Sequence, residues 1–266
     1  FAGYSLAGIT TSIYCRNAGV LFDVGQGLPF QMGARHVLIT HAHMDHAAGI
    51  PYLLSQKNVY GQKETNLLVP EAFAGPLEEI LGLWRKVDGH EYGYKLVAAR
   101  PGELYELDKL HCVRPFATPH RVPSQGYILY RKKTRLRADL RDHGQEAILE
   151  ARRRGEDPNE LFLDPMVAFT GDTKKEFFGA EPDISRAKIL FVEVTFWDEA
   201  KPVEHARTWG HMHLDELIEI LPQLQNERVV LIHASIRYST RELLAILDRR
   251  LPSAEKERVV LFPRPV

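Results

Sequence analysis

The chain has 266 residues, a formal net charge of −1 and two cysteines. This length can bury a substantial core, and we expect a single domain over residues 1–266. The near-neutral charge excludes a protein that attracts nucleic acid through its overall field. Cys15 and Cys112 are too few for a disulfide framework, so we expect core cysteines in a cytoplasmic protein. No apolar run reaches the roughly 18 residues of a membrane span, so no membrane partner is expected.

Short strand-like runs occupy the first part of the chain, at 12–15, 20–23 and 36–40. After Pro70, apolar residues at helical spacing predict a helix over 71–87. Further strands are predicted at 104–107, 110–116, 126–130, 166–170, 188–195 and 228–233, and further helices at 213–221 and 240–250. Strands in each half with helices between and after them predict an α/β (α+β) fold. Its two β-sheets pack face to face with helices outside, as an αββα sandwich.

Residues 40–49 read THAHMDHAAG and directly follow the apolar run 37–39. Imidazole and carboxylate side chains are the usual ligands of zinc and its neighbours in the first transition row. Four such side chains lie within six positions: His41, His43, Asp45 and His46. A tight turn at the end of a strand would let them converge on one point. The alternative, a solvated polar turn rich in histidine by chance, is disfavoured by this density of ligands.

Three more candidate ligands each stand at the end of a strand-like run: His120, Asp172 and His233. Loops at strand ends are held by a rigid scaffold, which is where such sites gather. Taken singly, each could instead be a capping residue or a histidine satisfied by the backbone. With the first cluster they provide seven donors, enough for two sites of about four ligands each if one carboxylate bridges. Paired metals about 3.5–4 Å apart can drive displacement at a phosphodiester.

The motif HAHMDH, followed by single donors at strand ends, resembles the metallo-β-lactamase superfamily, where glyoxalase II, lactonases and arylsulfatases also fit it. Four further segments are similar to motifs of tRNase Z, the tRNA 3′-processing endonuclease: PHRVPSQGY (119–127), VEVTFWDEA (192–200), GHMH (210–213) and IHASIRYS (232–239). The similarity extends from about Gly3 to the C-terminus. It is greatest to short plant and bacterial members of the family.

This resemblance implies a zinc-dependent endoribonuclease that removes the 3′ trailer of pre-tRNA by attack of a metal hydroxide on a phosphodiester. It assigns His41, His43 and His120 to one Zn²⁺, Asp45, His46 and His233 to the other, and Asp172 to both. Mn²⁺ or Fe²⁺ also suits such ligands. The resemblance further implies that His211 protonates the leaving 3′ oxygen, that Glu193 orients His211, and that Asp45 holds the attacking water. It also implies a homodimer.

The chain departs from the family pattern where many tRNase Z proteins carry a long arm with a Gly-Pro motif that grips tRNA. Only about 50 residues separate His120 from Asp172, and Gly144-Gln145-Glu146 stands where the Gly-Pro pair is expected. The segment 131–154 contains nine Lys or Arg and four acids. We interpret 131–156 as a reduced arm that binds tRNA phosphates through Arg131, Lys132, Lys133, Arg152, Arg153 and Arg154. The alternative is a solvated helical face.

Two other functions stay open at this stage. A hydrolase of the same fold that acts on small phosphodiesters or esters would explain the short arm. A nucleic-acid binder without metal is disfavoured by the complete ligand set. The tryptophans Trp84, Trp197 and Trp209 are interpreted as core or rim side chains rather than platforms for substrate bases.

Overall fold

The computed structural model describes residues 1–62, 64–141 and 143–265, and its strands form two mixed sheets. The first sheet contains, in spatial order, β1 (Ala2–Leu6), β2 (Thr10–Cys15), β3 (Val20–Phe22), β4 (His36–Leu38), β5 (Thr65–Pro70) and β6 (Tyr94–Ala99). Strands β1 to β3 are antiparallel, whereas β3 to β6 are parallel. The carboxyl ends of these parallel strands therefore meet at one edge of the sheet.

The second sheet repeats this mixture of antiparallel and parallel pairs. Its strands are β7 (Tyr105–Glu106), β8 (His111–Ala117), β9 (Gln125–Leu136), β10 (Asn159–Phe169), β11 (Ile189–Glu193), β12 (Arg228–Ile232) and β13 (Val259–Leu261). Strands β7 to β10 are antiparallel, and β10 to β13 are parallel. The carboxyl ends of β10, β11 and β12 form a second shared edge.

Eight α-helices connect the strands that the structure describes. They are α1 (Met44–Ala47), α2 (Ile50–Val59), α3 (Glu71–Asp88), α4 (Gly144–Arg153), α5 (Asp183–Arg186), α6 (Val203–Trp209), α7 (Leu214–Ile220) and α8 (Thr240–Arg250). Helix α3 ends at Gly89, whose φ of 72° gives the left-handed C-cap that glycine adopts without strain. Helix α8 begins with a capping box between Ser239 and Glu242. Across the described ranges, no helix is long and apolar enough to cross a membrane.

The core lies in three layers. Between the sheets, Phe22 of β3 stacks on Phe169 of β10, with 4.9 Å between ring centroids. Helices α2 and α3 cover the outer face of the first sheet through Leu53 and Leu77, and helices α7 and α8 cover the second sheet. Cys112 is buried in this core, and Cys15 is half-buried at the end of β2. The predicted αββα sandwich is confirmed.

Strands β9 and β10 continue beyond their neighbours as a two-stranded ribbon. Pairing of β8 with β9 stops at Arg131, and pairing of β11 with β10 begins at Val167. Beyond these points β9 and β10 pair with each other, out to Leu136 and Asn159. A 3₁₀ turn and helix α4 close the ribbon. The sequence predicted strands only at 126–130 and 166–170, because a ribbon that is solvated on both faces has no alternation of apolar residues.

Candidate metal centre

The first motif leaves β4, turns at His41–His43 and enters α1, a single helical turn that carries Asp45 and His46. The sequence predicted a turn alone, so the helix is a correction. The backbone carbonyl of His46 accepts hydrogen bonds from the amides of Val24 and Gly25, at 2.9 and 3.0 Å. These bonds fix α1 against the loop that follows β3.

The remaining ligands stand on loops that follow strands of the second sheet. His120 follows β8, Asp172 follows β10 and His233 follows β12. His233 has a φ of 60°, and Asp23, after β3, has a φ of 54°. A non-glycine residue in this left-handed region costs on the order of 1–3 kcal/mol, and such strain clusters at functional sites. Both strained residues belong to the centre, because Asp23 bonds His46 and His233 is itself a candidate ligand.

One set of ligand atoms surrounds a first position. The distance from His41 Nε2 to His43 Nδ1 is 3.0 Å, and that from His43 Nδ1 to His120 Nε2 is 3.3 Å. Asp172 Oδ2 lies 3.6 Å from His41 Nε2 and 3.9 Å from His120 Nε2. A tetrahedral zinc with bonds of about 2.0–2.1 Å separates its ligand atoms by about 3.3 Å. The four donors therefore have the spacing of one metal site.

A second set surrounds an adjacent position. Asp45 Oδ2 lies 3.3 Å from His233 Nε2 and 3.7 Å from His46 Nε2. The other carboxylate oxygen of Asp172, Oδ1, lies 3.3 Å from His46 Nε2 and 3.4 Å from His233 Nε2. Asp172 thus presents one oxygen to each set, which is the geometry of a bridging carboxylate.

The polar atoms at the middle of the centre fit a cation. Among the described residues, His46 Nε2 and Asp172 Oδ1 are buried and have no hydrogen-bond partner. Burial lowers the pKa of His41, His43 and His120, which favours the neutral imidazole that a metal requires of its ligands. Unpartnered buried polar atoms are costly unless a further group satisfies them. The donor set therefore suits a divalent transition metal.

Charge in the centre is arranged around Asp172. Burial raises the pKa of this carboxyl group, but the nearby His233 and His46 outweigh burial and hold the pKa well below its usual range. For His46, burial lowers the pKa, while Asp172 and Asp23 raise it well above its ordinary value. The two carboxylates therefore favour a positive charge at His46, which lies between them. Either a proton or a metal ion can supply that charge.

Hydrogen bonds from the second ring nitrogen orient four of the five ligand histidines. The partners are Thr40 Oγ1 for His41 Nδ1 (3.0 Å), Asp23 Oδ2 for His46 Nδ1 (2.8 Å), the Gly210 carbonyl for His120 Nδ1 (2.8 Å) and Thr195 Oγ1 for His233 Nδ1 (2.9 Å). Such bonds fix the tautomer and raise the basicity of the ligating nitrogen. The histidines are therefore preorganised to bind metal through the nitrogen that faces the centre.

Asp23 is a residue of this candidate site that sequence reasoning missed. It is fully buried, and it accepts hydrogen bonds from the Thr40 amide (2.8 Å), the Thr40 hydroxyl and His46. Burial raises the pKa of Asp23, and the charge of His46 offsets part of that effect. Its place at the end of the apolar run 20–22 was the available signal, because the other site carboxylates also follow apolar strands.

Glu193 and His211 form a hydrogen-bonded pair beside the centre. Glu193 Oε1 accepts hydrogen bonds from His211 Nδ1 (2.9 Å) and the Thr173 amide (3.0 Å), while Oε2 accepts from the amide and hydroxyl of Thr195. Burial lowers the pKa of His211, but Glu193 outweighs burial and raises that pKa to about 9. Donor atoms of His211, Asp172 and His233 also lie within 4.8 Å of one another. His211 is thus within reach of the centre, with Nδ1 engaged by Glu193.

The six predicted phosphate-binding cations lie on the ribbon, on helix α4 and, for Arg154, at the C-cap of α4, not at the metal centre. Three of them are in ion pairs: Lys132 with Glu106, Lys133 with Asp164 and Arg154 with Glu156. Arg131, Arg152 and Arg153 have no acidic partner within 4.0 Å in the part of the chain that the structure describes. They are the cations that remain available to an external anion.

Comparison with known proteins identifies the superfamily and the family of this chain. The model of the beta-lactamase superfamily domain matches residues 28–234, so the chain belongs to the metallo-β-lactamase superfamily. Two proteins of Arabidopsis thaliana, the chloroplastic tRNase Z TRZ2 and tRNase Z TRZ1, are each 32% identical over 243 residues, or 91% of this chain. The match covers 69% of the first protein and 87% of the second. Within the superfamily, the chain belongs to the tRNase Z family.

Solved structures share the fold over almost the whole chain. Human tRNase Z, short form, superposes with a TM-score of 0.64 at 19% identity, covering 98% of this chain and 95% of its own. The metallo-beta-lactamase fold protein YhfI from Bacillus subtilis superposes with a TM-score of 0.65 at 14% identity, covering 98% and 94%. At these identities the likeness concerns the fold.

Proposed function

We propose that this protein is an endoribonuclease that removes the 3′ trailer of pre-tRNA with two bound zinc ions. The observation that carries the proposal is the Glu193–His211 pair beside a complete double set of metal donors. A metal centre alone fits hydrolysis of many esters, whereas a positioned acid is needed when the leaving group is a poor one. The identity of the Arabidopsis relatives, which are named tRNase Z, supports RNA as the substrate.

The ligand division follows the two sets of distances. His41, His43 and His120 would hold one ion, Asp45, His46 and His233 the other, and Asp172 both. When bound, the ions supply a hydroxide at neutral pH and neutralise charge on the phosphate. Asp45 is held at Oδ2 by the Gly8 amide, at 2.8 Å, which leaves its second oxygen to orient the attacking water. Manganese or iron would also suit these ligands.

His211 would act at the other end of the reaction. Its Nδ1–H donates to Glu193, so Nε2 is the atom that can give a proton to the substrate. The bond between phosphorus and the ribose 3′ oxygen breaks, and this proton prevents release of a free alkoxide. The tRNA then ends in a 3′ hydroxyl, and the phosphate stays on the trailer. Glu193 is a positioning residue, since it acts through the imidazole of His211.

The reduced arm, residues 131–156, would bind the body of the tRNA. The Gln125 amide donates to the Thr40 carbonyl beside the metal centre, and β9 then runs to Leu136. The eleven steps from the first to the last of its twelve residues span about 36 Å, so the arm lies far from the centre of its own chain. This separation supports a homodimer in which the arm of one subunit serves the site of the other.

Cleavage of a pre-tRNA transcript in vitro, with both product ends mapped, tests this function. We expect one cut after the discriminator base, a 3′ hydroxyl on the tRNA and a 5′ phosphate on the trailer. Turnover of bis(p-nitrophenyl) phosphate without cleavage of pre-tRNA would favour the alternative, a hydrolase of small phosphodiesters. Light scattering tests the homodimer, and fractionation of the source cell tests the predicted cytoplasmic location.

A further inference from the structure

An exposed indole beside the metal centre lies against an arginine. Trp209 is the last residue of α6, and 49% of it is exposed. Arg121, which directly follows the ligand His120, places its guanidinium carbon 4.9 Å from the centre of the indole ring. A planar cation over an aromatic face is an attractive contact, worth about 0.5–1 kcal/mol at an exposed site. The pair therefore presents an aromatic and cationic surface to solvent.

Gly210 ties this surface to the centre. Its carbonyl accepts the hydrogen bond from His120 Nδ1, and its φ is 82°. A Cβ at this position would lie 2.9 Å from His120 Nδ1 and 3.0 Å from Cγ of Arg121. Glycine thus permits both the turn and the close approach of two loops. The loop carrying Trp209 and His211 is thereby locked against the loop carrying His120 and Arg121.

Aromatic side chains lead from Trp209 to the proposed acid. The centroid of Trp209 lies 6.3 Å from that of His205, His205 lies 5.1 Å from Phe196, and Phe196 lies 6.3 Å from His211. These rings connect the two side chains, so Trp209 lies on the same side of the centre as His211.

The cation over the Trp209 ring is unpaired. Within the described ranges, Arg121 has no acidic partner within 4.0 Å, and its guanidinium lies on the indole. Stacking aromatics combined with unpaired cations are the features with which proteins bind single-stranded nucleic acid.

We propose that Trp209 and Arg121 form a platform on which the base of the nucleotide that supplies the leaving 3′ oxygen stacks. The inference rests on the proposed cleavage of RNA and adds how the strand is positioned at the cut. Stacking accepts every base, which suits an enzyme whose substrates differ in sequence. It also revises the interpretation of Trp209 as a simple rim residue.

Binding of a short single-stranded oligoribonucleotide with phosphorothioate linkages, which resist hydrolysis, tests the platform. Fluorescence anisotropy with the zinc-loaded protein gives Kd. Base stacking is worth about 1–3 kcal/mol, so Trp209→Ala should weaken binding by roughly 5- to 150-fold, and Trp209→Phe much less. Trp84→Ala is the matched control, because Trp84 is 50% exposed but lies on α3. It should bind like the parent.

A pre-tRNA without one base shows which base stacks on Trp209. If the base is removed from the nucleotide that supplies the leaving oxygen, Trp209 has nothing to stack on. The parent and Trp209→Ala should then cleave this substrate with the same KM. Unchanged Kd and KM in Trp209→Ala, additive effects of the two changes, or loss of zinc from the variant would each overturn the platform. A parent that binds the oligonucleotide but leaves pre-tRNA intact would instead refute the proposed function. The two failures are therefore distinguishable.

Discussion

Two buried carboxylates, Asp23 and Glu193, give equivalent support to opposite sides of the centre. Each accepts a hydrogen bond from a threonine hydroxyl that is itself bonded to a ligand histidine, and each accepts a second bond directly from another histidine. The histidines that they hold directly differ in orientation. The free nitrogen of His46 lies 3.3 Å from Asp172 Oδ1, whereas the nitrogen of His211 nearest Asp172 is the one that bonds Glu193. The same pairing therefore supports the proposed metal ligand His46 on one side and the proposed acid His211 on the other.

Asp23→Asn should lower zinc affinity by about 10–100-fold, the usual cost of losing a partner that orients a ligand. The amide nitrogen of asparagine cannot accept a hydrogen bond, so either Thr40 or His46 loses its acceptor. Titration of the metal-free protein with zinc, in competition with a chelator, measures the effect. Asp88→Asn is the control, because Asp88 accepts bonds from Ser55 and Tyr92 away from the centre. Parental affinity in Asp23→Asn would show that Asp23 does not tune the ligands.

His211→Ala should reduce cleavage of pre-tRNA by about 10²–10⁴, the usual contribution of a general acid. Bis(p-nitrophenyl) phosphate should suffer far less, because p-nitrophenolate leaves without a proton. Zinc content should stay near the parental value, since His211 is not assigned as a ligand. Equal losses on both substrates, or a loss of zinc, would contradict the acid role.

Glu193→Gln should move the alkaline limb of the pH–rate profile to lower pH. The acid must be protonated to act, and Glu193 raises the pKa of His211 to about 9, so activity falls as the pH rises through that pKa. Without the carboxylate charge, His211 loses its proton at a lower pH. Single-turnover rates on pre-tRNA across pH 6–10 measure the shift. An unchanged limb would mean that another group limits the rate at high pH.

At the scale of elements, the arm lies far from the metal site, so its role depends on its own charges. Its ribbon and helix α4 hold Arg152 and Arg153 in solvent without acidic partners among the described residues, whereas Arg154 is paired with Glu156. Counterion release on binding RNA depends on unpaired cations that reach phosphates. Arg152 and Arg153 should therefore contribute more to tRNA affinity than Arg154.

Changing Arg152 and Arg153 together to glutamine should weaken pre-tRNA binding and flatten its dependence on salt. Each phosphate contact that is lost should lower the slope of log K against log salt concentration by about 0.7–0.9. Filter binding between 50 and 300 mM KCl, with a catalytically inactive parent, measures both effects. Arg241 and Arg249 on α8 provide a control of equal charge and similar exposure. If both double variants behave alike, the arm has no specific role in binding.

The sequence predicted helix α8 with the bounds that the structure has, 240–250, and it also located the ends of strands that lead to a ligand. An apolar run followed by one histidine or aspartate marks both a buried strand and its carboxyl end, as at His233. Helix α2 was missed because Lys57 occupies a core-facing position, where it donates to the Ala34 carbonyl and breaks the apolar stripe. The seven ligands, Glu193 and His211 belong to motifs, whereas Asp23 and Trp209 are single residues whose roles depend on contacts across the fold.

At the scale of the whole molecule, the metal centre joins the two halves of the sandwich. His41, His43, Asp45 and His46 come from the first sheet and its loops, and His120, Asp172 and His233 come from the second. The N-terminal segment adds two further links, because Ser5 Oγ accepts from the His233 amide and the Gly8 amide donates to Asp45. A bound metal would therefore cross-link the sheets at one edge of their interface.

Zinc should accordingly stabilise the folded protein. A ligand at about 1,000 times its Kd contributes about 4 kcal/mol to the free energy of unfolding. For a chain of this size, that corresponds to a rise in Tm of roughly 10 °C. Circular dichroism melts with zinc and with EDTA measure the shift.

Metal analysis of the protein under saturating zinc should find two ions per chain. Asp172→Ala should remove most of the shift and lower both occupancies, because its carboxylate serves both positions. His233→Ala should empty mainly one site, and a single ion in the parent would contradict the bridging role of Asp172.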